Sequence, residues 1–255
     1  MKGVEKINPY DSHREKGEQV EEMFDSIAPA YDFMNNAMTF GLYRFWRNEA
    51  IKKALSYLET REVLKVLDVA TGTGDLAFYL DSRLRNAEIK GIDLSAGMLE
   101  IARKKFERHQ VTSDNKISFE KADCLDLPFS EATFDIATVA YGVRNFSNLL
   151  KGLEEIKRVL KPGGVICIIE LSTPEGSLTA PFYKIYSGIL IPLMGRIISH
   201  DSHAYSYLPE SIRACPQREN MKTLMSDAGF SDVKWKSLTF GAVTYYIGKR
   251  GQITR

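Results

Sequence analysis

Val63-Leu-Lys-Val-Leu-Asp-Val-Ala-Thr-Gly-Thr-Gly-Asp-Leu-Ala77 passes from a short apolar run, through an acid and a glycine-rich turn, into the start of an amphipathic pattern. The run is too short for a stable helix and too continuous for a half-exposed strand, so it predicts a central parallel strand buried on both faces. Gly72 and Gly74 let the backbone turn tightly and approach a ligand with no Cβ in the way. A loop of this kind opening a helix presents free N–H groups and a partial positive charge, which suits a polar or anionic group.

The loop alone does not name its ligand. Gly72-Thr-Gly-Asp-Leu-Ala77 fits the dinucleotide pattern G-x-G-x-x-G/A, and Asp93 lies near the spacing of an acid that binds a ribose hydroxyl. An NAD(P)-dependent or flavin enzyme is therefore one reading. S-adenosylmethionine-dependent methyltransferases use the same strand, loop and helix, with an acid at the end of the first strand, where Asp68 stands. A carboxylate there opposes a pyrophosphate and suits a cofactor bearing an ammonium and a sulfonium, so charge favours the methyl donor. A module that binds the donor without chemistry is a third reading.

The chain has 255 residues, enough for one well-buried α/β domain. Its 34 basic and 33 acidic residues are dispersed, so no footprint for nucleic acid is visible. Cys124, Cys167 and Cys215 are odd in number and lack C-x-x-C spacing, which suggests neither a disulfide framework nor a zinc site. With no apolar stretch of signal-peptide length near the N-terminus, a cytoplasmic protein is expected.

Residues 1–16 are polar and carry Pro9, predicting a mobile arm; residues 17–255 are expected to form a single domain. Val20, Met23, Phe24 and Ile27 recur at helical spacing, as do Ile51, Ala54, Leu55 and Leu58, predicting a helical cap over 17–60. Between them, Tyr31-Asp-Phe-Met-Asn-Asn36 either packs that cap or lines an apolar substrate pocket. Glu88 to Asp93, Ile117 to Lys121 and Ile136 to Tyr141 read as further strands, with Ser95 capping a helix that follows the first of these. The third strand ends at Ala122-Asp123-Cys124, where methyltransferases place a side chain against the adenine amino group. Gly142-Val-Arg-Asn145 follows the fourth, on the edge where open α/β sheets bind ligands.

A helix bearing Leu149, Leu153, Ile156 and Leu160 is expected to stop at Lys161-Pro-Gly-Gly164 before a strand from Val165 to Leu171, apolar up to Glu170. Residues 173–214 form an aromatic and apolar insertion, read as a lid; Lys184, Pro192 and Arg196 exclude a membrane span within it. His200-x-x-His203 has no third ligand of recognisable spacing, so no metal is expected. A helix from Arg218 to Ala228 and two strands, Val233–Phe240 and Ala242–Ile247, complete a seven-stranded Rossmann-like sheet ending in an antiparallel hairpin.

With these residues in place, the chain resembles the ubiquinone/menaquinone biosynthesis C-methyltransferase family of the UbiE and MenG type. Tyr31-Asp-Phe-Met-Asn35, Tyr141-Gly-Val-Arg-Asn145 and Tyr207-Leu-Pro-Glu-Ser-Ile212 narrow the match. Asp68 to Asp75 and Leu160-Lys-Pro-Gly-Gly164 are shared with many class I methyltransferases. Tyr43, where the family usually has His, and Cys215 before Pro216, where Phe is usual, depart from the pattern.

The resemblance implies methylation of a ring carbon of a prenylated quinol, either demethylmenaquinol or a polyprenyl methoxy-benzoquinol; another small lipophilic acceptor is the alternative within the class. It implies S-adenosylmethionine held by Asp68, Thr71, Gly72, Gly74, Asp93, Leu94, Asp123 and Cys124, and substrate contacts from Tyr31, Met34, Tyr141 and Tyr207. Arg144, Asn145 and Tyr31 become the catalytic candidates. A guanidinium is no base near neutral pH. Arg144 is therefore expected to favour the phenolate electrostatically, with Asn145 orienting the ring and Tyr31 bonding a quinol oxygen. Because a prenyl tail resides in lipid, transient contact with the inner face of the membrane is expected, through residues 173–214 together with the N-terminal helices. A homodimer is compatible with the class.

Overall fold

The computed structural model describes residues 3–11, 13–58, 62–109, 114–176 and 202–252, side chains excepted at 202–205. The Val63 run becomes the strand β1 (Leu64–Val69) at the centre of a seven-stranded sheet. It pairs in parallel with β2 (Ala87–Asp93) on one side and β4 (Phe134–Ala140) on the other. β3 (Lys116–Lys121) extends the sheet beyond β2, and β5 (Leu160–Leu171) beyond β4, all parallel. The last two strands, β6 (Phe230–Leu238) and β7 (Val243–Arg250), are antiparallel, with β7 inserted between β5 and β6.

Both faces of the central strands are covered, which is why their sequences are apolar without alternation. Val66, Ile136, Val165 and Cys167 face Ala50, Ile51 and Ala54 of α3 (Tyr43–Leu55) and Leu76, Ala77 and Leu80 of α4 (Asp75–Arg83). Leu67, Val69, Val139 and Ile168 face the other way, onto Leu153 and Ile156 of α6 (Leu149–Val159) and Met221 and Met225 of α8 (Glu219–Asp227). Between β2 and β3 runs α5 (Ala96–Arg108); Ser95 caps it as expected, its hydroxyl accepting from the Met98 amide at 3.0 Å.

The cap is built from α1 (Lys16–Ile27), α2 (Tyr31–Thr39), α3 and, from the far end of the chain, α7 (Ser202–Ala214). Helix α2 falls where no helical period was visible. It is held from outside: Lys105 of α5 reaches Asp32 at 2.5 Å, and Thr73 of the glycine loop donates to Asp32 at 2.5 Å.

Three expectations need correction. The polar residues before Lys16 are not loose. Val4 and Ile7 are buried, the Leu149 amide donates to Glu5 at 2.7 Å, and Lys16 donates to the carbonyls of Val4, Arg144 and Phe146 at 2.8, 3.1 and 3.3 Å. Lys161-Pro-Gly-Gly164 does not precede the strand but lies within β5, where a register shift against β4 and a Gly163 φ of +78° absorb it. β6 begins at Phe230, directly after Gly229, rather than at Val233. The part of the expected lid from 177 to 201, including Lys184, Arg196 and His200, lies outside the described residues.

Candidate active site

The carboxyl ends of β1 and β4 meet because residue 142 is glycine: a Cβ there would stand 2.6 Å from the Ala70 Cβ. Ala70 and Tyr141, at those two strand ends, take φ of +53° and +58°, in the left-handed region that non-glycine residues occupy at a cost. Gly72 and Gly74 share that region at φ +56° and +82°. The Gly74 Cβ position faces the Phe78 and Phe119 rings at 2.9 and 3.0 Å, so this glycine serves the turn and lines no cavity.

A cleft enclosing about 740 Å³, space open to solvent included, runs along the edge, lined by Gly72, Asp93, Leu94, Asp123, Cys124 and Asn145 among others. The amides of Gly72 and Ser95 donate to the two Asp93 oxygens at 2.8 and 2.9 Å. Burial nevertheless raises the Asp93 carboxyl to about 6 against those bonds. Asp123 accepts from the Leu125 amide at 2.9 Å, which fixes its carboxylate at the rim. Cys124 contributes a buried thiol held well above its usual range by desolvation.

Asp68 and Thr71 do not line that cavity. They wall an adjoining recess with Asp75, Tyr43 and a residue the sequence reading missed, Arg47. Asp68 accepts from Thr71 and Thr138 at 2.6 and 2.7 Å, and burial pushes it up to about 6. The Arg47 guanidinium lies 4.3 Å from the Tyr79 ring centroid and donates to the Asp75 carbonyl at 2.8 Å, while its buried Nε has no partner among the described residues. A recess holding one cation and one buried acid matches the carboxylate and ammonium of an amino-acid group. Asp93 matches a pair of hydroxyls, and Asp123 an amino group. These are the parts of S-adenosylmethionine, and the residues present fit it.

A second, larger cavity of about 1520 Å³ lies under the cap, lined by Met34, Met38, Trp46, Leu208 and Ile212 among other apolar groups. Phe24, Tyr31 and Tyr141 line both cavities and stand between them. Burial raises both phenols, and the Tyr141 hydroxyl has no partner among the described residues. Arg144 is the charged residue among those described in the apolar lining, whereas its neighbour Asn145 faces the first cavity. The 3-10 turn Val143–Asn145 divides them in this way. The Tyr207 hydroxyl donates to Asn145 Oδ1 at 3.1 Å.

Arg144 is not the surface cation that a strand-end arginine most often is. It is buried, with Nη1 donating to Glu170 at 2.8 Å and to the Tyr141 carbonyl, and its Nε lacks a partner among the described residues. Burial by itself would lower the guanidinium, but the Glu170 charge offsets this and its pKa lies above the ordinary value. Glu170 also accepts from the Arg144 and Leu171 amides at 3.3 and 2.8 Å. Its signal in the sequence was an acid closing an otherwise apolar strand.

Among the described residues no group of acids, histidines and cysteines is arranged to hold a metal ion. No described helix is long and apolar enough to cross a membrane.

A parallel sheet closed by an antiparallel hairpin, with a donor-shaped cavity along its carboxyl edge, defines the class I methyltransferase fold. More narrowly, the family model described as the ubiE/COQ5 methyltransferase family matches residues 12–250, and the chain belongs to that family. The demethylmenaquinone methyltransferase of Bacteroides fragilis is 46% identical over 95% of this chain and 96% of its own. That of Deinococcus radiodurans is 39% identical over 95% and 97%. The ubiquinone/menaquinone biosynthesis C-methyltransferase UbiE of Geotalea daltonii is 40% identical over 92% and 98%. Family membership thereby favours the methyltransferase over the nicotinamide reading of the glycine loop.

Among solved structures, the [4+2]-cyclase SpnF superposes with a TM-score of 0.66 at 17% identity, over 92% of this chain and 96% of its own. The Haemonchus contortus phosphoethanolamine N-methyltransferase 2, in complex with S-adenosyl-L-methionine, gives 0.62 at 14% identity over 86% and 56%. At such identities the likeness concerns the fold, which hosts more than one reaction.

Proposed function

We propose that this chain transfers the methyl group of S-adenosylmethionine to a ring carbon of a prenylated hydroquinone, with demethylmenaquinol the first candidate and a polyprenyl methoxy-benzoquinol the second. The observation that carries this is the pair of cavities meeting at Tyr31 and Tyr141, one with the acids Asp93 and Asp123 in its wall and shaped for the donor, the other apolar with Arg144 in its lining. Relatives at 39–46% identity, demethylmenaquinone methyltransferases and a ubiquinone/menaquinone biosynthesis C-methyltransferase, agree with it.

The donor supplies an electrophilic methyl on a sulfonium. Arg47 holds its carboxylate, Asp68 its ammonium, Asp93 its ribose hydroxyls and Asp123 its adenine amino group. The aromatic carbon is a poor nucleophile until a ring hydroxyl ionises, and an ordinary phenol does so only near pH 10. Arg144, desolvated and fixed, stabilises the phenolate, its guanidinium donating toward the ring oxygen; preorganised charge of this kind is worth about 3 kcal/mol. Glu170 holds the guanidinium, its oxygens already engaged, and the hydroxyl proton passes to water. Asn145, set by Tyr207, and Tyr31 orient the ring so that its carbon lies in line with the methyl. As the ring carbon takes the methyl, the methyl–sulfur bond breaks and the donor leaves as a neutral thioether; the proton on that carbon then passes to water and the aromatic ring is restored.

Incubation of the purified protein with methyl-labelled donor and reduced demethylmenaquinone tests this. Label is expected in the reduced quinone product and not when the quinone is supplied oxidised; no label in either would refute the assignment.

A further inference from the structure

The apolar cavity opens between two turns, the one joining α2 to α3 and the one joining β6 to β7. Trp46 of α3 ties them together by donating to the Thr239 hydroxyl at 2.7 Å. Around this opening large apolar side chains face solvent: Phe33 is 63% exposed, Phe40 79%, Leu42 43%, Phe45 50% and Phe240 83%. The position is not accidental in sequence terms. Phe33 lies on the exposed side of α2, Phe40 is the residue at which that helix ends, and Phe45 lies in the first turn of α3.

Each turn also places a phenylalanine at its apex in left-handed backbone, Phe40 at φ +49° and Phe240 at φ +55°. Bulky residues rarely occupy that region, and here it projects two rings away from the core they would otherwise join. A burial explanation for these rings is absent, since each strained turn exposes rather than covers its aromatic.

Beside the opening, Arg44 stands exposed next to Phe45 on α3, and Lys236 stands exposed on β6 ahead of the turn that carries Phe240. Aromatic rings flanked by cations fit an anionic lipid surface: the rings enter the interface while the basic groups meet the head groups. A flat patch would suit a second copy of the chain equally well, but this one encircles the mouth of a cavity.

The geometry points to these two turns as the docking surface for an anionic bilayer, with the cavity mouth held against the lipid so that a tailed quinol enters without crossing water. The inference rests on the proposed substrate for its purpose, not for its contacts. It narrows the expected membrane contact, read at residues 173–214 together with the N-terminal helices, to residues 33–45 and 239–241.

Phe33, Phe45 and Phe240 do not line the cavity, so their replacement probes docking alone. Full-length protein is sedimented with vesicles of phosphatidylcholine, with and without phosphatidylglycerol. The wild type is expected to bind the mixed vesicles and to release from them as salt is raised. The triple variant Phe33→Ser, Phe45→Ser, Phe240→Ser is expected to lose at least about tenfold in vesicle affinity. Arg44→Glu should weaken binding to the mixed vesicles only. Turnover of a short-tailed, water-soluble quinol should stay within about twofold of wild type in the triple variant, while that of a long-tailed quinol in vesicles falls. Undiminished vesicle binding by the triple variant overturns the inference. So does a wild type that stays in the supernatant, whether residues 177–201 cover the rim or a second copy does; analytical ultracentrifugation separates these. Vesicle binding without methyl transfer to either quinol would instead refute the proposed function and leave the docking surface standing.

Discussion

The Glu170 carboxylate lies 2.8 Å from the Arg144 guanidinium, and both side chains are almost wholly shielded from water. Removing one partner of such a pair strands a charge in the interior, at a cost of about 3–5 kcal/mol. Glu170→Gln keeps the shape and loses the charge, so a clear drop in melting temperature is expected together with lower turnover. Differential scanning calorimetry and steady-state rates on the same preparation check both.

Arg144→Ala should lower kcat by about 10²–10³-fold, because in the proposed mechanism its charge acts on the quinol oxygen. S-adenosylhomocysteine affinity should stay within about twofold, since Arg144 faces the apolar cavity rather than the donor side. Arg144→Lys should restore only part of the rate, an ammonium lacking the planar fork that serves Glu170 and the ring oxygen together. Near-normal kcat in the alanine variant at saturating donor would remove the electrostatic role.

Arg47→Ala tests the recess. Loss of a charge-assisted bond worth about 1.5–3 kcal/mol should weaken S-adenosylhomocysteine binding roughly 10–100-fold. Methylthioadenosine lacks the amino-acid group and should bind wild type and variant alike. Calorimetry with the two ligands separates a lost carboxylate contact from a general collapse of the site.

Asp68 and Asp93 have folded-state values raised to about 6 by burial, above the usual carboxylate range near 4. Without ligand, the folded protein therefore holds their protons more tightly than the unfolded chain does. Their contribution to stability is complete below about pH 4 and is lost as pH rises through 6. Donor affinity runs the opposite way, since only the ionised acids meet an ammonium and accept from ribose hydroxyls. S-adenosylhomocysteine should bind progressively more weakly as pH falls from 7 through 6, with proton release on binding in that window. A flat affinity between pH 8 and 5 would contradict the assigned contacts.

The parts of this protein legible in its sequence are those set by local pattern and two-sided burial. β1 and its loop could be read because a strand covered on both faces has no polar alternation, and the loop glycines take backbone angles that other residues avoid. Helix α2 was not legible, since contacts from Lys105 and Thr73, distant in sequence, hold it. The ordered N-terminus escaped for a similar reason: Val4 and Ile7 are too few to make a period, and the cluster Val4 joins includes Val143 and Phe146, more than a hundred residues later. The acidic strand ends and Arg144 were visible as residue types at the ligand-binding edge. Arg47 was not, because a helix pattern shows which residues face inward but not which cavity a polar one borders.

The Lys16 clasp has a consequence in time. Glu5 is synthesised 144 residues before Leu149, the residue whose amide it accepts from, and Lys16 likewise precedes the carbonyls of Arg144 and Phe146. At about 5–20 residues per second, the early segment waits on the order of ten seconds for its seat. Until then, Val4 and the Lys16 ammonium, whose pKa in the finished protein is pushed down to about 8 by burial, remain in water. The turn carrying Arg144 and Asn145 therefore acquires its final support from a piece of chain made long before it, and the growing protein cannot assemble this corner of its candidate site in the order of translation.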